Sequence, residues 1–138
     1  MRPLAILCAL VAVASAVPAR AELNMRPGMW NEIRTVGGSQ MPPEDKCYLQ
    51  KDVDALDGFQ RGTAPAGKSS CSASDYKAVG NFMSYTLTCV VNGKKNISAV
   101  TMHYDGDRIT GQITGVDGTT TLVLNTRIGD CSTSSFPN

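Results

Sequence analysis

The chain has 138 residues and is almost neutral, with 13 Lys and Arg residues against 12 Asp and Glu residues. This length suits one domain with one hydrophobic core. The Lys94-Lys95 pair is not a basic patch, so neither nucleic acid nor an anionic membrane surface is expected as a partner.

The N-terminus has the pattern of a secretory signal peptide. Met1-Arg2 is a short positive region, Leu4 to Val13 is apolar, and Ala19-Arg20-Ala21 fits an Ala-x-Ala cleavage site. The apolar run is shorter than the roughly 20 residues that span a bilayer. We therefore predict a leader over 1–21 and a single β-rich domain over 22–138, periplasmic or secreted, with no integral membrane segment after cleavage.

The cleavage position itself remains open, because Ala14-Ser15-Ala16 is a second Ala-x-Ala motif. Cleavage after Ala21 would remove two of the 13 basic residues, which makes the net charge of the mature chain −1.

The first part of the predicted domain contains one long strand and one short strand. Residues 26–30 open a strand that runs to about Val36, and its Trp30, the only tryptophan, is predicted to be a core plug over the sheet. The Gly- and Pro-rich residues 37–43 predict a loop, and residues 46–49 predict a short strand.

One short helix is predicted next. Residues 52–58 carry acidic side chains near the start and Gly58 at the end, which is typical of a helical turn or two. The Gly-, Ala-, Pro- and Ser-rich residues 61–70 predict a mobile segment.

From Cys71 to Ile128 the sequence predicts five antiparallel strands. Asn-Gly and Asp-Gly pairs between strand-like flanks are strong hairpin signals. Four two-residue loops are predicted to join the strands: Gly80-Asn81, Asn92-Gly93, Gly106-Asp107 and Asp117-Gly118.

These loops divide the side chains between two faces, because successive strand residues point to opposite sides. The predicted apolar face includes Met83, Tyr85, Leu87, Cys89, Val100, Met102, Tyr104, Ile109, Gly111, Ile113, Leu122, Leu124 and Ile128. The predicted polar face includes Thr86, Thr101, His103, Gln112, Thr121, Asn125 and Arg127, and Val123 is an exception on it.

Four cysteines follow the predicted leader, and an even number in an exported chain predicts two disulfides. A one-residue β-bulge near Ser74-Asp75 would place Cys71 opposite Cys89 and leave Cys47 to pair with Cys131. Zinc is not expected, because the chain has no CxxC spacing and His103 is on the other face. No metal or other cofactor is predicted.

The predicted fold class is mainly β: an antiparallel meander that forms a curled sheet or a partly open barrel, with one short helix and two disulfides. Gly111 and Gly115 on the apolar face indicate either sheet curvature or a groove. The residues predicted to line such a groove for an apolar ligand are Trp30, Met83, Tyr85, Met102, Tyr104 and Gly111.

The order of these features resembles a bacterial family called domain of unknown function 3617. The matching features are Pro27-Gly28-Met29-Trp30, Cys47 followed by a short helix, Cys71, the Gly80-Asn81 hairpin that returns to Cys89, and Gly129-Asp130-Cys131. The departures are Met29 where leucine is usual, Tyr85 where tryptophan is frequent, and no Thr-Pro after Cys47. The resemblance implies an exported, β-rich, uncharacterised protein and transfers no catalytic residues.

Two functions remain open from the sequence. The first is a non-enzymatic binding module for a small apolar ligand or an envelope component. The alternative is a structural or protein-interaction protein of the cell envelope, with a fully packed core and no ligand. An enzyme is not predicted, because no nucleophile–base pair is visible.

Overall fold

A computed structural model describes residues 23–63 and 70–132. The predicted leader and most of the predicted mobile segment lie outside the described residues. The first half contains β1 (Gly28–Val36), β2 (Ser39–Gln40), β3 (Glu44–Tyr48) and the helix α1 (Gln50–Gln60). The second half contains β4 (Cys71–Val79), β5 (Phe82–Val91), β6 (Lys94–Asp105), β7 (Arg108–Gly115) and β8 (Thr120–Gly129).

The predicted meander is confirmed for β4 to β7. Val79 pairs with Phe82, Val91 with Lys94, and Asp105 with Arg108, so each of these three loops has two residues. At the second loop, Asn92 and Gly93 both have positive φ angles, 50° and 74°. That is the backbone of a type I′ turn, whose twist matches the twist of the flanking strands.

The predicted bulge and both predicted disulfides are also confirmed. The β4–β5 register shifts between Ser74 and Lys77, and Asp75 adopts a φ of 55°. This extra residue places Cys71 opposite Cys89, and the two form a disulfide. The second disulfide joins Cys47 to Cys131, 84 residues apart.

The last hairpin differs from the prediction by one residue. The amide of Gly115 donates to the carbonyl of Thr119 at 2.9 Å, so the loop has three residues, 116–118. In a two-residue loop, the Thr119 amide would donate to the carbonyl of residue 116. Here it donates to the Asp117 carboxylate instead, at 2.9 Å. This backbone hydrogen bond from Thr119 lowers the pKa of Asp117.

The one-residue change exchanges the two faces of β8, as strand geometry requires. The prediction that Leu122, Leu124 and Ile128 lie on the apolar face is therefore wrong, and so is the placement of Thr121, Asn125 and Arg127 on the polar face. Val123 and Asn125 are buried on the concave face, whereas Leu122 is 50% exposed.

The strand that carries Trp30 lies in the sheet and not over it. The strands follow the order β2-β1-β8-β7-β6-β5-β4, and β3 pairs with the first half of β1. The predicted loop over 37–43 contains a tight turn followed by β2, which pairs with the end of β1. The sheet is antiparallel and is not closed.

The helix is longer than predicted and passes through Gly58. It ends where Gly62, with a φ of 70°, donates to the carbonyl of Phe59 at 2.9 Å, and Thr63 donates to that of Gly58 at the same distance. This Schellman pattern gives partners to the last helical carbonyls. Within the described residues, no helix is both long and apolar enough to cross a membrane.

The core lies between α1 and the concave face of the sheet. The helix contacts both β3 and β4, which belong to opposite sides of the open sheet, so the sheet must curl around it. Trp30 is fully buried, and its indole N–H donates to the carbonyl of Arg26 at 3.1 Å. The buried cluster consists of Leu23, Met25, Trp30, Val53, Met83, Tyr104 and Ile109.

The two disulfides should contribute unequally to stability. In the chain-entropy model, loops of 84 and 18 residues differ in closure entropy by about 1.4 kcal/mol. We expect the double variant C47A/C131A to lose that much more unfolding free energy than C71A/C89A, as measured by urea denaturation. An equal or larger loss in C71A/C89A would contradict this expectation.

Candidate functional site

The concave face and α1 border a partly open cavity of about 360 Å³. Its inner wall consists of buried side chains from four parts of the chain: Met25, Gln60, Tyr104 and Ile109. At the other end, the partly exposed Arg34 and Val36 border the opening. A cavity of this size falls within the range of about 300–1,000 Å³ that is typical of small-molecule sites.

Strand alternation determines which side chains reach the cavity. Inward-pointing positions on β1, β7 and β8 lie side by side, because Glu32 pairs with Asn125, and Asn125 pairs with Ile109. The residues that these three strands contribute to the lining are Glu32, Arg34, Val36, Ile109, Ile113, Thr121, Val123 and Asn125.

Glu32 is a buried carboxylate with partners on both oxygens. Its Oε1 contacts Arg34 Nη2 at 2.5 Å and Lys46 Nζ at 3.1 Å, while its Oε2 accepts from Asn125 Nδ2 at 3.4 Å. Partial burial lowers the pKa of Lys46, but the hydrogen bond and the charge of Glu32 outweigh this effect and raise that pKa above its usual value. The buried negative charge is therefore paired and hydrogen-bonded, as burial requires.

A second polar contact lies between the helix and the sheet. The Nε2 of Gln60, a residue only 1% exposed, donates to the hydroxyl of Tyr104. Two buried amide oxygens, Gln60 Oε1 and Asn125 Oδ1, have no hydrogen-bond partner among the described residues. Both residues line the cavity, and an unpaired buried polar group costs about 1–3 kcal/mol.

Three tyrosines line the cavity as neutral groups. Burial raises the pKa of Tyr48, Tyr85 and Tyr104, although the hydrogen bond from Gln60 acts in the opposite direction at Tyr104. Their ordinary pKa is already about 10, so these hydroxyls keep their protons at neutral pH. They offer hydrogen bonds and no negative charge.

Half of the residues predicted to line a groove are in the cavity lining, namely Tyr85, Met102 and Tyr104. Trp30 and Met83 belong to the packed core instead. Gly111 faces Met102, whose sulfur would lie 2.0 Å from a β-carbon at position 111. The thioether of Met102 therefore fills the space that the missing side chain of Gly111 leaves.

Sequence reasoning did not identify four polar residues of the cavity: Glu32, Arg34, Gln60 and Asn125. Alternation from the inward-facing Trp30 would have indicated Glu32 and Arg34. For Asn125, the signal was the Asp117-Gly118-Thr119 sequence. An Asp carboxylate can accept the backbone amide two residues later, and the longer loop that results turns Asn125 to the concave face.

His103 lies on the outer face of the sheet, away from the cavity. The sequence placed His103 on the polar face; there it is half-buried and stacks on Phe82, with 4.2 Å between the ring centroids. The two residues are opposite each other in the β5–β6 register. In the part of the chain that the structure describes, no group of three or more His, Cys, Asp or Glu side chains is placed to hold a metal ion.

Fold and site together define a class: a disulfide-linked, open antiparallel sheet whose concave face and helix α1 border a small cavity with a polar side. The chain belongs to the family described as protein of unknown function (DUF3617), whose model matches residues 25–131. Comparison with curated proteins and with solved structures returned no match.

The buried carboxylate should matter more for stability than its exposed neighbour. Glu32→Gln removes the charge that holds Arg34 and Lys46, and an amide nitrogen cannot accept from Asn125. We expect a loss of about 1.5–3 kcal/mol in unfolding free energy, the range for hydrogen bonds to charged groups. Urea denaturation at pH 7 measures it.

Glu44→Gln is the matched control. Glu44 contacts the same Lys46 at 3.5 Å but is 67% exposed, so its pair is worth about 0–1 kcal/mol. Equal stability of the Glu32 and Glu44 variants would show that the buried cluster contributes no more than a surface ion pair.

Proposed function

We propose that this protein is an exported, non-enzymatic binding module that holds a small, mainly apolar molecule in the cavity. The proposal rests on a cavity of about 360 Å³, open at one end, in whose lining the amide oxygens of Gln60 and Asn125 have no hydrogen-bond partner among the described residues. Most of the remaining lining is apolar or aromatic, and a few convergent polar groups in such a pocket are typical of a ligand site.

The chemistry of the lining supports binding over catalysis. The cavity carboxylate, Glu32, is engaged on both oxygens by Arg34, Lys46 and Asn125. A general base needs a free lone pair within reach of a proton. The tyrosine hydroxyls keep their protons at neutral pH, and His103 lies on the opposite face with Phe82.

Export is supported by two independent features. The first 21 residues have a positive start, an apolar run and an Ala-x-Ala motif. The two disulfides, Cys47–Cys131 and Cys71–Cys89, are of a kind that persists in oxidising compartments such as the periplasm.

A second candidate function, protein interaction in the envelope, has one observation in its favour. Phe82 is 58% exposed and, together with Leu122, borders a groove of about 400 Å³ on the outer face. This alternative requires a fully packed core, and the cavity on the concave side favours ligand binding instead.

Obstructing the opening of the cavity should abolish ligand binding. Thr121 lines the cavity and is half-buried, so Thr121→Phe projects a ring into it. We expect a solvent extract of the cell envelope to raise the melting temperature of the wild type but not of Thr121→Phe. A ligand that binds only the folded state stabilises it by mass action.

Thr126→Phe is the control, because it makes the same substitution at an exposed position on the other face of β8. This variant should respond to the extract like the wild type. A response retained in Thr121→Phe would place the ligand elsewhere, and a response lost in Leu122→Phe alone would favour the outer groove.

Export predicts a specific mass for the protein purified from its own host. The intact chain should lack residues 1–21, or a slightly different number if the earlier Ala-x-Ala motif is cleaved. Two disulfides make it four hydrogens lighter than its reduced form, which intact-mass spectrometry resolves. A full-length chain with free thiols would contradict export.

A further inference from the structure

The cavity wall contains a row of four side chains whose order suggests the shape of the ligand. Glu32 on β1 is opposite Asn125 on β8, Asn125 is opposite Ile109 on β7, and Ile109 is opposite Tyr104 on β6. Directly opposed residues have β-carbons about 4.5–5.5 Å apart, so the β-carbons of Asn125 and Tyr104 are about 10 Å apart. Apolar Ile109 fills the interval between two polar positions.

At the Asn125 end, the unused hydrogen-bonding atom is a neutral acceptor. The side-chain nitrogen of Asn125 donates to Glu32, and its Oδ1 has no donor among the described residues. The charges beside it are already matched, because Glu32 and Glu44 balance Arg34 and Lys46. An anionic head group there would be repelled by the Glu32 carboxylate, and a cationic head group would be repelled by Arg34 and Lys46.

At the Tyr104 end, the unused atoms suit a group that both donates and accepts. The Tyr104 hydroxyl accepts from Gln60 and retains its own proton for donation, while Gln60 Oε1 remains an acceptor. If the amide of Gln60 is turned round, its nitrogen becomes the unpaired atom, so the pair keeps unused capacity in both orientations. A hydroxyl group satisfies an acceptor and a donor together.

We propose, on the basis of the binding function above, that the ligand is an uncharged, mainly apolar molecule with a hydroxyl group at each end. One hydroxyl donates to Asn125 Oδ1, and the other is held by Gln60 and Tyr104. The apolar body lies over Ile109, with Met102 and Val123 beside it.

Simple eight-carbon probes test this assignment on the intact mature domain. The probes are 1,8-octanediol, 1-octanol, octanoate and octylammonium, titrated into ¹⁵N-labelled protein and followed by two-dimensional NMR. We expect the diol to shift the amides of Ile113 and Val123 and to bind about three- to ten-fold more tightly than 1-octanol, the effect of one added hydrogen bond. The two charged probes should bind more weakly than 1-octanol.

Variants at the two ends test the contacts separately. Asn125→Leu and Gln60→Leu should each reduce the advantage of the diol over 1-octanol to less than two-fold. Asn125→Leu also removes a donor to Glu32, so Gln60→Leu, at the other end, keeps the test valid if the first variant does not fold. Gln112→Leu, the same substitution at an exposed outer position, should leave the advantage unchanged.

The probes also separate the identity of the ligand from the binding function of the cavity. If octanoate or octylammonium binds at the cavity as tightly as the diol, the cavity binds ligands but the assignment of an uncharged diol is overturned. The same holds if the diol advantage survives in both end variants. If no probe shifts cavity amides and Thr121→Phe still responds to the envelope extract, the binding function in this cavity fails as well.

Discussion

The choice of β8 side chains that line the cavity depends on one hydrogen bond in the β7–β8 turn. The Asp117 carboxylate accepts the amide of Thr119, and the turn then closes between Gly115 and Thr119 around three residues. With one residue fewer in the loop, β8 would present Leu122 and Leu124 to the concave face. Two leucines there would complete an apolar core. The observed register instead brings in Val123 and Asn125, and with them the polar side of the cavity.

The presence of Asn125 explains how a carboxylate is tolerated on this face. Glu32 lies directly opposite it and receives its side-chain amide, while Arg34 and Lys46 supply the opposing charge. A buried ion pair of this kind seldom adds stability relative to well-packed apolar side chains. The ion pair lies beside the cavity on the concave face, so ligand recognition explains it better than folding stability does. The register of one hairpin is thereby connected to the proposed function.

The open sheet has two edges, and a disulfide reinforces the structure near each of them. Cys71–Cys89 ties the edge strand β4 to its neighbour β5, and Cys47–Cys131 ties β3 to the chain just after β8. The helix contacts β3 and β4 across the concave face, and the Arg61 guanidinium lies 4.7 Å above the ring of Tyr76 on β4. Held at both sides in this way, a sheet that is not closed can keep its curvature around the cavity.

Local signals were sufficient to predict the registers of β4 to β7, because each two-residue loop fixes which residues pair. The bulge followed from the requirement that Cys71 lie opposite Cys89, and Cys47–Cys131 was the pair that remained. The register of β8 depends on the side chain of Asp117, which accepts the Thr119 amide that a two-residue loop would use. The Asp-Gly dipeptide pattern does not include this side-chain hydrogen bond. The role of Gln60 depended on how far the helix extends past Gly58, which was set by the turn at Gly62. Met25 reaches the cavity wall through bridging to Gly106, a tertiary contact with no sequence pattern.

Native mass spectrometry of the protein purified from its own host would show whether the cavity holds a ligand. We expect a non-covalent adduct that survives gentle ionisation and is lost on unfolding, with a mass that exact-mass analysis assigns to an uncharged hydroxylated molecule. We also expect an added ligand that occupies the cavity to displace the adduct. A chain that carries no adduct, and acquires none from envelope extract, would contradict the claim that this cavity is a binding site.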